Sequence, residues 1–211
     1  MKKMLSEELT IKRREAIKGL QQRIRYCRLC EEHGYIPKAQ PLVSGRPEDR
    51  IMVVGQAPGH RSIAKGRSFS GPGGTILQRW LEQAGFPPGY LHSHVYLSSL
   101  TRCDPGRNHH GDGDRRPSPS EIALCKPFLD AEIQLLEPRV ILPVGTMAIE
   151  TFFGKVKLEE VIGTYQEHSG KLFLPLPHPS GVSRWLNEPE HLKLHIQALE
   201  ILATWRVAYD L

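Results

Sequence analysis

The stretch VVGQAPGHRSIAKGRSFSGPGG, residues 53–74, decides the fold. It begins in an apolar, β-branched segment, and its glycine-punctuated loop leads into the helical pattern of residues 75–85. A strand, a glycine-rich loop and a helix in this order are typical of a phosphate-binding or active-site turn. The loop lacks the Gly-Lys-Ser/Thr ending of a P-loop, so we expect no nucleotide cofactor. It also has no Asp or Glu between Gly55 and Gly74, although a catalytic loop of this shape would be expected to carry a carboxylate.

Other apolar segments repeat the pattern of this first strand. Short runs bounded by Pro, Gly or charged residues predict buried strands at residues 51–55, 95–100, 139–145 and 171–177. Apolar residues at helical spacing predict helices at residues 6–26, 75–85, 120–137, 146–154 and 189–205. This alternation predicts a parallel, layered α/β sheet, whose functional groups gather in the loops at the carboxyl ends of the strands.

Length and composition limit the class of protein. A chain of 211 residues fits one domain, residues 1–211, with a full hydrophobic core. It has no apolar run of about 18 residues and no apolar signal segment at its start, so we expect a cytoplasmic protein with no membrane partner. A net charge of +5 favours a polyanionic partner where basic residues cluster, as they do at residues 102–116. The basic residues of the N-terminal helix are more simply interpreted as a solvated face.

The cysteines form one close pair and two distant single residues. Cys27 and Cys30 make a C-x-x-C pair, and Cys103 and Cys125 follow much later in the chain. Disulfides are disfavoured in the cytosol, so the pattern favours thiolates gathered around a metal over ordinary buried cysteines. A structural zinc site usually has two close pairs, whereas convergence of three segments suits an iron-sulfur cluster at least as well. Spacing alone leaves zinc and iron-sulfur close to even.

Four motifs in order resemble the uracil-DNA glycosylase superfamily, and specifically its iron-sulfur family 4 branch, over nearly the whole chain. The motifs are GQAPGHRSIAKGRSFSGPGG (55–74), VYLSSLTRCDPGRN (95–108) with RRPSPSEIALCKPFLDAEI (115–133), ILPVGTMAIETFFG (141–154) and PLPHPSGVSRW (175–185). The resemblance implies a single three-layer α/β/α domain with a central, mainly parallel four-stranded sheet. It also implies a 4Fe-4S cluster, because the four cysteines stand at the family's ligand positions.

The resemblance further implies a site that accepts a base flipped out of DNA. His178 stands where the superfamily places the histidine that donates to the base oxygen as negative charge develops. Phe69 stands where the family stacks the flipped base. The other residues expected to contact the base are Gly55, Ala57 and Ser99. The residues expected at a phosphate or in the space that the base vacates are Gly71, Ser180, Gly181, Val182, Ser183 and Arg184.

Two positions depart from the family pattern. Family 4 members usually have Glu at the position of Gln56, and other branches have Asp or Asn at that of Ala57, to orient or activate the attacking water. Gln56 can hold a water by hydrogen bonds but cannot take its proton, and His60 is the nearest candidate for a replacement base. Ser99 replaces the Asn that reads both the carbonyl and the N–H of uracil, which leaves the accepted base open.

The stretch between the last two cysteines is longer than in family 4 and carries polar residues from Asn108 to Asp114. A related branch has a histidine here that bonds covalently to the abasic sugar, and its place in register falls at about Asp114. A covalent trap would need His109 or His110 to reach inward. The preferred interpretation is a polar insertion that contacts backbone or solvent.

Together these features predict a monofunctional DNA glycosylase of base excision repair, which hydrolyses the N-glycosidic bond of uracil or another deaminated base. Its partner is DNA containing a damaged or deaminated base, and we expect a monomer. The alternative is a catalytically weak DNA-lesion or single-strand DNA-binding protein, because the loop carboxylate and the Asn are missing. An iron-sulfur redox or regulatory protein is disfavoured, since the sequence shows no second redox group.

Overall fold

The computed structural model of the protein describes residues 2–109, 113–179 and 184–211, with side chains from residue 11 onward. The helices of these residues are α1 (Lys2–Arg25), α2 (Leu29–Glu32), α3 (His60–Ala64), α4 (Pro72–Gln83), α5 (Tyr90–Ser93), α6 (Pro119–Leu136), α7 (Thr146–Phe153), α8 (Leu158–Val161) and α9 (Pro189–Ala208), and a 3-10 turn covers Trp185–Asn187. The strands are β1 (Ile51–Gly55), β2 (Val95–Ser99), β3 (Val140–Pro143), β4 (Gln166–His168) and β5 (Lys171–Phe173).

The strands form one mixed sheet in the order β2-β1-β3-β5-β4. Strands β2, β1, β3 and β5 are parallel to their neighbours, as predicted. The prediction of four strands is wrong, because β4 pairs with β5 in antiparallel orientation and makes five among the described residues. All three residues of β4 are exposed and polar, so the strand has no apolar pattern by which to recognise it. Its turn, Ser169 and Gly170, has the positive φ values of a two-residue hairpin turn.

Helices cover both faces of the sheet, as the three-layer prediction requires. Successive residues of a strand point to opposite faces, so Ile51 and Val53 belong to one apolar core and Met52 and Val54 to another. Helices α4 and α9 contribute buried residues to the first core, and α1 and α6 contribute to the second. Packing on both faces therefore fixes the carboxyl ends of the strands, and the loops extend from these ends.

Strand topology brings the sequence-predicted loops to one edge. The parallel strands β1, β2 and β3 end side by side, with Gly55 opposite Ser99 and Val54 opposite Pro143. Beyond β5, an isolated parallel bridge joins Leu176 to Val144, which carries the chain on to the same edge. In the described part of the chain, no helix is long and apolar enough to span a membrane.

Candidate active site

A cavity of about 550 Å³ opens at this carboxyl edge of the sheet. Its wall is built by the loop after β1, the end of β2, the start of α4, the segment before α6 and the chain after β5. The sequence-predicted residues that line it are Gly55, Gln56, Ala57, His60, Phe69, Gly71, Ser99 and His178. The structure thus places every predicted catalytic and base-contacting residue around one space.

The aromatic wall of the cavity is Phe69, which packs against the apolar core between the sheet and α4. Its backbone has a φ of +53°, a left-handed conformation that is uncommon outside glycine. A Cβ at Gly55 would lie 2.8 Å from Phe69 Cζ, and one at Gly74 would lie 1.6 Å from the Phe69 carbonyl oxygen. Both glycines are therefore needed so that the ring can turn over the end of β1.

The loop after β1 contains a helix that the sequence did not predict. Helix α3 begins at His60, and the hydroxyl of the buried Ser62 accepts a hydrogen bond from the Ser70 amide at 3.3 Å. At the other end of the loop, a Cβ on Gly73 would lie 2.9 Å from the Pro179 carbonyl oxygen. The start of α4 therefore lies directly against the histidine segment.

His178 enters the cavity from the chain beyond β5. It lies close to Gly145, where a Cβ would be 3.1 Å from His178 Cδ2 and where φ is +84°. Burial lowers the pKa of His178 below its ordinary value, and the positive charge of Arg116 lowers it further. The imidazole is therefore neutral at pH 7, and it can donate one hydrogen bond without bringing its own positive charge.

Ser99 is a buried side chain at the end of β2. Its hydroxyl donates to the Thr101 carbonyl oxygen over 2.6 Å, so the proton is engaged inside the protein. The Ser99 oxygen can accept a hydrogen bond from a bound molecule, but it supplies no second donor. The paired donor and acceptor of an asparagine amide are therefore absent at this position.

Basic side chains surround the cavity. Arg61, Arg107 and Arg115 line it, and Arg116 acts on His178. Arg115 is engaged with Glu121, whose two carboxylate oxygens it contacts at 2.7 and 2.8 Å. Positive charge at the mouth of the cavity favours a polyanionic ligand.

Part of the predicted DNA contact set cannot be placed. Arg184 lies exposed at the start of the 3-10 turn. Ser180, Gly181, Val182 and Ser183 lie outside the described residues.

The cavity also contains a carboxylate that was not predicted as part of the site. Asp114 lines the cavity, and its Oδ2 would lie 2.5 Å from a Cβ on Gly59, so it sits against the backbone of the loop after β1. From the sequence, this residue was predicted to lie in a polar insertion that contacts backbone or solvent. Helical or strand periodicity could not reveal its place, because the contact joins two irregular loops. His109 does not line the cavity, and His110 lies outside the described residues.

The four cysteines form a second group of potential ligands, and none of them is in a disulfide. Burial and the nearby Cys125 raise the pKa of Cys30 to about 11, and burial raises the pKa of Cys103 to about 12. Cys30 and Cys125 share a hydrogen bond, and Cys27 acts electrostatically on both. The three chain segments that carry the cysteines therefore converge, as their use as one ligand set requires.

Protein contacts also hold these segments next to one another. Arg102, next to Cys103, forms a buried ion pair with Glu132 of α6, the helix that carries Cys125, with 2.5 Å between Nη2 and Oε2. The hydroxyl of Ser98 donates to the same carboxylate at 2.9 Å. Strand β2 and helix α6 are thereby fixed to each other beside the thiols.

The donor set restricts which metal group the thiols could hold. Four thiols with no imidazole or carboxylate suit an iron-sulfur cluster or a four-cysteine zinc site. Among the described residues, which include every cysteine, no three His, Cys, Asp or Glu side chains converge closely enough to hold a single metal ion. The donor set therefore fits either group.

Comparison with known proteins decides the family. The model of the Uracil DNA glycosylase superfamily matches residues 43–200. The chain belongs to this superfamily. A type-4 uracil-DNA glycosylase of Thermotoga maritima is 31% identical over 176 residues, which cover 82% of this chain and 85% of that protein. The type-4 uracil-DNA glycosylase of Archaeoglobus fulgidus is 28% identical, with 75% of this chain and 73% of that protein covered.

The chain is also similar to part of a much larger protein. The DNA polymerase of Bacillus phage SP01 is 28% identical over 160 residues, which cover 76% of this chain and 16% of that protein. The predicted membership of the uracil-DNA glycosylase superfamily, family 4 type, is confirmed. The cavity of this chain combines a glutamine in the loop after β1 with an aspartate that lies against the same loop.

Proposed function

We propose that this chain is a monofunctional DNA glycosylase that hydrolyses the N-glycosidic bond of uracil or another deaminated base flipped out of DNA. The observation that carries the proposal is the convergence of Phe69, Gln56 and His178 on one cavity with a basic rim. An aromatic ring, a water-holding amide and a hydrogen-bond donor are the groups that such a reaction needs. The type-4 uracil-DNA glycosylases among its relatives support the same reaction class.

The base is held by stacking and released by charge stabilisation. Phe69 offers a ring face to the flipped base, and Gly55 leaves room for the base beside the end of β1. As the C1′–N bond breaks, its electrons move to the base, and negative charge develops on a base oxygen. The neutral imidazole of His178 donates a hydrogen bond to that oxygen, while Arg116 supplies positive charge nearby.

DNA would be held around this cavity. Helix α4 presents its N-terminus at Gly71, where free backbone amides attract a phosphate. Arg61 and Arg107 add positive charge at the cavity, and Arg184 lies on the exposed turn after the histidine segment. We expect one monomeric domain, residues 1–211, to bind DNA that contains the damaged base.

We also propose that Cys27, Cys30, Cys103 and Cys125 hold a 4Fe-4S cluster. The four buried or half-buried thiols come from three separate chain segments, and a cluster would join these segments covalently. Thiols with a raised pKa lose their protons when they bind iron, so a cluster would offset the cost of burying thiolates. Its role in this proposal is to stabilise the fold beside the cavity.

A second function is favoured by one specific feature. The Ser99 hydroxyl is engaged with the Thr101 carbonyl, and the amide of Gln56 cannot remove a proton from water. A protein with these residues could recognise a lesion and cleave it slowly or not at all. The alternative is therefore a lesion-binding or single-strand DNA-binding protein.

Excision assays separate the two functions. The purified protein is incubated with single- and double-stranded oligonucleotides that carry uracil, hypoxanthine or xanthine, and alkali then cuts abasic sites. Alkali-dependent cleavage at one of these bases is the expected result. DNA binding without cleavage at any of them would favour the alternative.

A further inference from the structure

We infer that Asp114 is the catalytic base of this site, replacing the carboxylate that the loop after β1 lacks. The inference rests on the proposed glycosylase function and names the group that accepts the proton of the attacking water. Among the described residues that line the cavity, Asp114 carries the only carboxylate. Gln56 and the backbone of residues 57–59 cannot take a proton from water. The His60 imidazole lines the same cavity and is the competing candidate. Asp114 is favoured because its negative carboxylate can also stabilise the positive charge that the sugar acquires.

Asp114 lies directly against the loop after β1. Its Oδ2 lies so close to Gly59 that a Cβ there would come within 2.5 Å of it. Gln56 precedes Gly59 by three residues in the same loop and lines the same cavity. The carboxylate and the amide therefore flank one part of the cavity wall, where they can hold a water between them.

The segment that carries Asp114 is held from both sides. The backbone N–H of Asn108 donates to the Gly113 carbonyl oxygen at 2.8 Å, and the backbone N–H of Arg115 donates to the Gly106 carbonyl oxygen at 2.9 Å. The next residue, Arg115, makes the bidentate pair with Glu121, which also closes the capping box at the start of α6. Asp114 is thus fixed to a long helix, although it belongs to an irregular segment.

The charges around Asp114 suit this role. Arg107 Nη1 lies 3.5 Å from Asp114 Oδ1, while the second oxygen, Oδ2, faces the Gly59 backbone. His178 is the donor for the leaving base, so proton acceptance and charge stabilisation belong to separate side chains. A negative carboxylate also stabilises the positive charge that the sugar acquires as the base leaves.

In the proposed step, water attacks C1′ of the flipped nucleotide as the base leaves. The water oxygen forms a bond to C1′ while the C1′–N bond breaks, and the electrons of that bond leave with the base. The proton of the water passes to the Asp114 carboxylate. The base anion, held by the His178 N–H, is then protonated from solvent, and Asp114 returns its proton to solvent.

Single-turnover excision with Asp114→Asn tests the assignment, using the wild-type chain and the oligonucleotide base that it releases fastest. Loss of a general base predicts a rate lower by a factor of about 100 or more. DNA affinity and melting temperature should stay at the wild-type values. Asp130→Asn is the matched control, because Asp130 is exposed on α6 and pairs with the neighbouring Lys126.

The outcomes are distinguishable. A wild-type rate in Asp114→Asn would overturn the assignment of the base and leave the glycosylase function intact. Absence of excision by the wild type would overturn the proposed function and the base together. Should Asp114→Asn melt early, Asp114→Ala is assayed with added formate. Recovery of the rate by formate supports the assignment, and failure to recover contradicts it.

Discussion

Acid should destabilise this protein through a single buried histidine on α9. His195 is 3% exposed and packs against Trp80 of α4, with 4.3 Å between the ring centroids. Neither ring nitrogen has a hydrogen-bond partner among the described residues. Burial therefore lowers the pKa of His195 from 6.5 to about 4. The folded protein keeps the ring neutral, whereas the unfolded chain protonates it at its ordinary pKa.

The size and sign of the effect follow from these two pKa values. Above pH 6.5 the ring is neutral in both states, and the full stability is present. As the pH falls from about 6.5 towards about 4, only the unfolded state gains a proton, so the free energy of unfolding decreases. The loss due to His195 reaches about 2–3 kcal/mol as the pH approaches the folded-state pKa and levels off below it.

Urea unfolding of the wild type and of His195→Leu at pH 7.5 and pH 4.5 measures this contribution. Other acid-sensitive groups affect both proteins equally, so the difference between their pH dependences isolates His195. We expect the variant to lose about 2–3 kcal/mol less than the wild type over this interval. Equal losses in the two proteins would refute the reasoning that burial keeps His195 neutral.

Three substitutions test other parts of the site. His178→Ala should lower the single-turnover excision rate by a factor of about 100 or more while DNA binding persists, because one donor to the leaving base is lost; His168→Ala on the exposed strand β4 is the control, and an unchanged rate in the first variant would remove His178 from the site. Cys27→Ala should abolish the visible absorbance of the cluster and lower the melting temperature, and retention of both would disprove the ligand set. Gly74→Ala should cost about 1–3 kcal/mol in unfolding free energy, because its Cβ would meet the Phe69 carbonyl oxygen, whereas Gly19→Ala has nothing within 4 Å and should cause no loss; equal stabilities of these two variants would contradict the described loop.

The sequence predicts the buried part of the sheet well, because burial leaves a composition signal. Residues 51–54 are all apolar and residue 55 is glycine, and β1 covers the same range in the structure. The predicted strand at 171–177 ends at Phe173, since Pro175 and Pro177 have no N–H to donate to a ladder. Strand β4 was missed because its exposed residues need no apolar pattern.

The sequence predicts which candidate site residues share one edge of the sheet where those residues stand at strand ends. Gln56 directly follows β1, and Ser99 is the last residue of β2. These strands are parallel neighbours, so the sheet topology alone brings both residues to one edge. Asp114 was missed because its contact with Gly59 depends on the path of an irregular insertion. The effect of Arg116 on His178 was missed for the same reason, since it joins two loops that are distant in the chain.

Release of a free base is the measurement that tests the central claim most directly. The wild-type protein is incubated with oligonucleotides that carry uracil, hypoxanthine or xanthine, and mass spectrometry detects the base in solution without alkali treatment. The account predicts that one of these bases is released intact and leaves an abasic site in an unbroken strand. Binding of the same oligonucleotides with no base released would contradict the glycosylase function.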